Sequence, residues 1–171
     1  PKIVIDPKDS NLIYTVSSEW DTIYKSTNGG NNWNKITLNI NTTLSNLFIT
    51  PGTSTSILYG IGWDGIYQSN DQGQNWTKLP LPGDMQISTI AFGSNTSGSL
   101  TLYASGYEKF YQETIAKTLK STDDGNSWTK INDVDINSLI THPQSPFLFY
   151  GVSKDGVIKS SDEGKNWACV H

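Results

Sequence analysis

Eight carboxylates and five aromatic side chains are of a kind and placement that could do chemistry. Glu19, Asp21, Asp64, Glu108 and Glu113 fall in or beside short turn-like segments, and Asp84, Asp133 and Asp135 fall in longer connections. Two carboxylates about 5–10 Å apart across a cleft would hydrolyse a glycosidic bond, one as acid and the other as base or nucleophile. Nothing in the spacing of these eight pairs any two of them. Trp20, Trp63, Tyr107, Phe110 and Tyr111 sit beside Glu19, Asp21, Asp64 and Glu108 in the segments SSEWDT, GWDGI and GYEKFYQETIAK. Aromatic rings next to carboxylates and amides suit carbohydrate, whose C–H faces stack on rings while its hydroxyls take polar partners. The alternative is that Trp20 and Trp63 pack between neighbouring sheets.

Other chemistries find little support. His142 and His171 make no metal-ligand cluster, so no metal and no cofactor is expected. The single cysteine, Cys169, lies in a last-strand pattern and reads as a small packed residue rather than a nucleophile; alone, it forms no internal disulfide. All twelve basic residues are lysine and the net charge is -4, which argues against nucleic acid, because phosphate recognition relies on guanidinium forks and a basic face. No apolar run approaches the roughly 20 residues of a membrane span. The opening residues, PKIVID, read as a strand and not as a leader, so the chain is expected to be mature, trimmed or a fragment. N-x-[ST] sequons at Asn41, Asn75 and Asn95 are candidate N-glycosylation sites and favour a secreted or cell-surface protein.

The elements that must position these residues repeat. The octet S-x-[DN]-x-G-x-x-W occurs as STNGGNNW from Ser26, SNDQGQNW from Ser69, STDDGNSW from Ser121 and SSDEGKNW from Ser160, with starts 43, 52 and 39 residues apart. Before each octet lies a strand pattern (TIYKS, GIYQS, AKTLKS, GVIKS), and after it another that begins with the tryptophan (WNKI, WTKL, WTKI, WACV). Upstream, LIYTVSS, ILYGIGW, LTLYASGY and FLFYGVSK share Tyr14, Tyr59, Tyr103 and Tyr150, and ahead of them stand KIVID, LFIT, STIAF and SLITH, three followed by Pro7, Pro51 and Pro143. Four β-rich segments per unit, separated by Gly, Asn, Asp, Ser and Pro, predict four strands per repeat, the layout of a propeller blade. Six tryptophans, eight tyrosines and five phenylalanines need a core, which excludes a disordered chain.

The octet resembles the Asp-box, or BNR repeat, of sialidases, xyloglucan-degrading glycoside hydrolases, sortilin-type receptors and a photosystem II assembly factor, all β-propellers. The resemblance covers the whole chain and implies an all-β propeller of four Asp-box blades, at about 1–38, 44–80, 86–132 and 136–171, as one domain or part of a larger propeller. It implies structural roles for Ser26, Asn28, Gly30 and Trp33, for Ser69, Asp71, Gly73 and Trp76, for Ser121, Asp123, Gly125 and Trp128, and for Ser160, Asp162, Gly164 and Trp167. The aspartates would accept turn amides, the glycines would take a positive φ, and the tryptophans would fold over the hairpin against the next sheet. Four equivalent turn residues signal scaffold rather than a site.

In such a blade the boxes occupy one face, and the hairpins between the second and third strands occupy the other. The distances from shared tyrosine to box serine are 12, 10, 18 and 10 residues, so the hairpins vary most, and variation on a constant scaffold marks function. The D-G steps at Asp64 and Asp155 read as two-residue turns. A sialidase resemblance implies an arginine cluster clamping the substrate carboxylate; without arginine that chemistry is excluded, and the arginine-rich binding face of the photosystem factor is missing too. PKIVIDPKDSNLIYTV and WDTIYKSTNGGNNW resemble the xyloglucanase repeats, but those enzymes form a cleft from two large propellers, of which four blades supply at most part of one. The expected function is a non-catalytic extracellular or cell-surface module that reads carbohydrate or a protein partner on the hairpin face. A glycoside hydrolase, whole or in part, is the alternative, and self-association or missing blades would complete the ring.

Overall fold

A computed structural model describes residues 3–17, 22–50, 56–94, 100–110, 113–142 and 145–170. Glu19, Trp20, Asp21, Tyr111, Asn95, Pro51, Pro143 and His171 lie outside the described residues. Among the described residues sixteen strands form four antiparallel sheets, each of four consecutive strands in sequence order. The first holds β1 (Ile3–Ile5), β2 (Ile13–Val16), β3 (Thr22–Ser26) and β4 (Asn34–Thr37). The second holds β5 (Leu44–Ile49), β6 (Leu58–Gly62), β7 (Gly65–Ser69) and β8 (Thr77–Lys78). The third holds β9 (Met85–Ser94), β10 (Leu100–Phe110), β11 (Glu113–Ser121) and β12 (Thr129–Asn132). The fourth holds β13 (Ser138–His142), β14 (Ser145–Ser153), β15 (Gly156–Ser160) and β16 (Ala168–Cys169). Among the described residues there is no helix, and hence none long and apolar enough to cross a membrane. The architecture is that of an all-β propeller built from Asp-box blades, as the repeats predict.

The chain divides into two compact units, residues 1–79 with sheets one and two and residues 80–171 with sheets three and four. In the first, the alternation of β2 and β3 turns Tyr14, Val16 and Ile23 to one side, where with Val4 they pack on Leu44, Leu47, Leu58, Tyr67 and Trp76. In the second, Ala91 and Tyr103 pack on Leu139, Phe149 and Ile158, with the Tyr103 and Phe149 rings edge to face at 4.6 Å. Burial raises the Tyr14 and Tyr103 phenols, helped by the charges of Asp6 and Glu163 respectively.

Cys169 corrects its sequence reading. It lies in β16, but it is exposed, because β16 is a two-residue edge strand paired only with β15.

Candidate functional site

Each sheet has a box end, where the third strand turns into the fourth, and a hairpin end, where the second turns into the third. At the box end one geometry recurs. The serine closing the third strand is buried, and its Oγ accepts the box glycine N–H at 2.9 Å in all four cases: Gly30 on Ser26, Gly73 on Ser69, Gly125 on Ser121 and Gly164 on Ser160. The same hydroxyl donates to Asn28 Oδ1 at 3.0 Å, Asp71 at 2.9 Å, Asp123 at 2.8 Å and Asp162 at 2.8 Å. That oxygen in turn accepts the N–H four residues on, from Asn32, Asn75, Ser127 and Asn166 at 2.8–2.9 Å. The indoles of Trp33, Trp76, Trp128 and Trp167 donate back to the box glycine carbonyls at 2.9–3.0 Å.

The box glycines have φ of +81° to +91°, and the residues before them, Gly29, Gln72, Asp124 and Glu163, are also left-handed at +58° to +68°. The sequence reading identified the glycine but not this second position, whose only signal is its fixed place in the octet. Packing of the tryptophans is uneven: Trp76 is 7% exposed and Trp33 39%.

Hydrogen bonds lower the carboxyls of the box aspartates from their ordinary value. The leading donor is the backbone of Asn75 for Asp71, the Ser127 hydroxyl for Asp123 and the backbone of Asn166 for Asp162. These carboxylates are committed to turns. The sequon residue Asn75 is committed too, since its Nδ2 donates to Asp71 Oδ2 at 2.7 Å.

At the hairpin end each sheet differs. In sheet two, Gly62 pairs with Gly65, so the two-residue turn is Trp63-Asp64 rather than the expected Asp-Gly. The glycine instead opens β7 with φ +146°, and in sheet four Lys154-Asp155 stands in the same way ahead of Gly156, φ +115°. Trp63 is 67% exposed, the most exposed large apolar residue described, so it does not pack between sheets. Asp64 beneath it accepts from Lys78 Nζ at 2.7 Å and from the Tyr67 hydroxyl at 3.1 Å. Burial alone would raise the Asp64 carboxyl, but the bonds from Lys78 and Tyr67 outweigh it and the group is held low; burial and Asp64 together push Tyr67 up to about 12.

In sheet three the inserted residues extend the ladder. Four pairs run beyond Gly106↔Lys117, from Tyr107↔Ala116 to Phe110↔Glu113, so residues 107–110 and 113–116 form a paired β arm. Its root is a bulge at Ser105/Gly106 against β9, where a Cβ on Gly106 would come within 2.1 Å of the Gln86 carbonyl. On the arm the Tyr107 hydroxyl donates to Gln86, and Glu108 is ion-paired with Lys117 and packed against Gly83.

Asp64, Glu108 and Asp133 each have their own lysine, Lys78, Lys117 and Lys130, and Asp84 is exposed. Among the described residues no three His, Cys, Asp or Glu side chains gather as a metal site. The hairpin end of sheet two presents an exposed indole on a polar base, and that of sheet three a long paired arm.

Residues 21–166 match the Sortilin-Vps10 family, described as sortilin, neurotensin receptor 3. The chain belongs to the Sortilin-Vps10 family. No curated protein matches this Sortilin-Vps10 chain significantly by sequence. Among solved structures it is similar to an ancestral GH74 enzyme, at 25% identity and a TM-score of 0.77, over 98% of this chain and 23% of the enzyme. The GH74 enzyme of Niastella koreensis aligns with a TM-score of 0.73 at 18% identity, over 98% of this chain and 29% of that one. YCF48 from Cyanidioschyzon merolae aligns at 0.63 and 16%, over 92% of this chain and 55% of that one. The Sortilin-Vps10 chain thus spans about a quarter of the length of the GH74 enzymes it matches. The Asp-box propeller read from the octets is confirmed, while likeness below 25% identity speaks to fold alone.

Proposed function

We propose that the chain is a non-catalytic binding module whose hairpin ends take carbohydrate, with a protein partner as the other ligand this surface suits. The observation that carries this reading is Trp63, an indole 67% exposed at the tip of a two-residue turn and backed by the Lys78–Asp64–Tyr67 cluster. Exposing an indole to water has a cost, and a turn fixed by an ion pair and a phenol presents it in one orientation, ready to stack on a sugar ring. The pairing of Asp64, Glu108 and Asp133 each with its own lysine supports binding over hydrolysis, which needs a free acid and base. Exposed Asn41 suits a glycan-bearing extracellular or cell-surface protein.

A second reading, a piece of a glycoside hydrolase, is favoured by the likeness to the ancestral GH74 enzyme at 25% identity. A glycan array probed with the purified chain, together with an assay for β-glucan cleavage, separates the two. Retention of oligosaccharide without cleavage supports the module. Cleavage abolished by removing one of Asp64, Glu108, Asp84 or Asp133 establishes the hydrolase, and neither binding nor cleavage overturns the carbohydrate reading.

A further inference from the structure

Lys25 and Lys120, each standing just before a box serine, are placed alike in the two units with one difference of charge. In the second unit Lys120 lies 5.8 Å over the Tyr103 ring and is ion-paired with Glu163, the residue before the next box glycine. In the first unit Lys25 lies 6.0 Å over the Tyr14 ring and donates to Gln72 Oε1 at 2.5 Å. Gln72 and Glu163 hold one place in the octet with nearly the same φ, +63° and +62°, so the two arrangements differ by a carboxylate. An amide accepts the hydrogen bond but leaves the ammonium charge unanswered.

That charge borders a cavity of about 330 Å³ beside β4, in the first unit. Lys35 adds a second ammonium to its lining, Thr27, Asn34, Thr37 and Gln74 add hydroxyl and amide donors, and Ile36 is its one apolar residue. The walls are fixed to each other. Ile36 packs toward the second box, 3.8 Å from where a Cβ on Gly73 would stand. Gln74 lies between two residues that the first sheet and its following connection hold, Gln72 bonded to Lys25 and Asn75 accepting from Asn39 Nδ2 at 2.9 Å. No acidic or aromatic residue lines this cavity, although the chain carries a net charge of -4. The box aspartates take no part, because Thr27, Gln72 and Gln74 stand at variable positions of the octet.

This lining selects a ligand by charge and size. Two ammonium groups among neutral donors suit an oxyanion, and the lack of a ring offers nothing for a base or a sugar face to stack on. The volume is at the small end for ligand sites. Lysine takes phosphate or sulfate as a point charge, with no need for the forked geometry of arginine. We propose that the cavity beside β4 binds a compact oxyanion, the phosphate or sulfate group of a small ligand. The site shares no residue with the Trp63 turn or its Lys78–Asp64–Tyr67 cluster. Because it opens to solvent, binding is salt-sensitive and on the order of millimolar.

Backbone amide shifts of the 171-residue chain, followed by NMR as inorganic phosphate or sulfate replaces chloride at constant ionic strength, test this. The expected result is a saturable change confined to Thr27, residues 34–37 and Gln72–Gln74, weakened about threefold or more by Lys25→Gln and by Lys35→Gln. Gln72→Glu gives Lys25 the carboxylate that Glu163 gives Lys120, at a φ that already accepts glutamate, so it should keep the fold and also weaken phosphate about threefold or more. Glucose 6-phosphate and glucose identify the source of the anion. Tighter saturation by glucose 6-phosphate than by inorganic phosphate assigns a phosphorylated sugar, and equal or weaker saturation assigns the free anion. Shifts that never saturate, that fall elsewhere in the chain or that glucose alone reproduces overturn the proposal. So does phosphate binding undiminished in Gln72→Glu or in both lysine variants.

Discussion

Trp76 and Trp63 belong to opposite ends of the second sheet, and they are 7% and 67% exposed. Trp76 is part of a turn written four times in one chemistry, with a buried serine hub, an aspartate or asparagine acceptor, two left-handed residues and an indole tied to a glycine carbonyl. Trp63 is part of a hairpin written once. The box end spends its polar groups on itself, as Asp71, Asp123 and Asp162 show, and leaves little for a ligand. The hairpin end changes from blade to blade, from the Trp63-Asp64 turn through the β10–β11 arm to the bare Lys154-Asp155 turn. Constancy at one end and variation at the other separate the scaffold from the surface proposed for recognition within a single sheet.

Removing the two indoles should give opposite outcomes. Trp76→Ala empties a site packed in the first unit's core and should cost about 3–5 kcal/mol in urea unfolding, whereas Trp63→Ala should stay within about 0.5 kcal/mol. Equal losses would erase the distinction. Next in size, Ser69→Ala leaves the Gly73 N–H and Asp71 without their shared partner in a buried turn, and about 1–3 kcal/mol is expected by the same measurement.

Acid should act through the box end. The folded carboxyls of Asp71, Asp123 and Asp162 lie below their unfolded values of about 3.9, so the stability they contribute is complete above that pH and is lost as pH falls through the folded values. The first box carries Asn28, which does not titrate. Asn28→Asp should therefore steepen the fall in Tm between pH 4 and 2, and an unchanged profile would show that the first turn does not depend on its acceptor. The smallest effect belongs to the hairpin cluster. Tyr67 titrates near 12, so its contribution is full below about 10 and is lost as pH rises toward 12; Asp64→Asn should bring its phenol down in an absorbance titration, with under about 1 kcal/mol change in stability.

Much of the box end was legible because its physics is local. A serine, an acceptor two residues on, a glycine and a tryptophan close one turn through bonds spanning four residues or fewer, and four copies exposed the period. The residue before the glycine was missed, since Gly29, Gln72, Asp124 and Glu163 share a left-handed φ but no side-chain chemistry. The hairpin end was legible only as variation. Whether Glu108 and Asp64 face a ligand or a lysine depends on partners brought from other strands, Lys117 and Lys78, and no local pattern encodes that pairing. The extension of β10 and β11 was likewise hidden, because GYEKFYQETIAK mixes charge and aromatics without the alternation of a half-buried strand. Asn75 shows the reverse case: its sequon reads as a modification site, but its amide nitrogen is bound to Asp71. In chain made by a secretory host, glycopeptide mass spectrometry should find Asn41 occupied and Asn75 bare.

The most direct test of the division between scaffold and recognition is a calorimetric titration with an oligosaccharide retained on the glycan array, comparing the wild-type chain with Trp63→Ala and recording Tm for both. The expected result is a loss of affinity of roughly tenfold or more, about 1.4 kcal/mol, with Tm unchanged. Undiminished binding by Trp63→Ala, or a loss that simply tracks a fall in Tm, would contradict it.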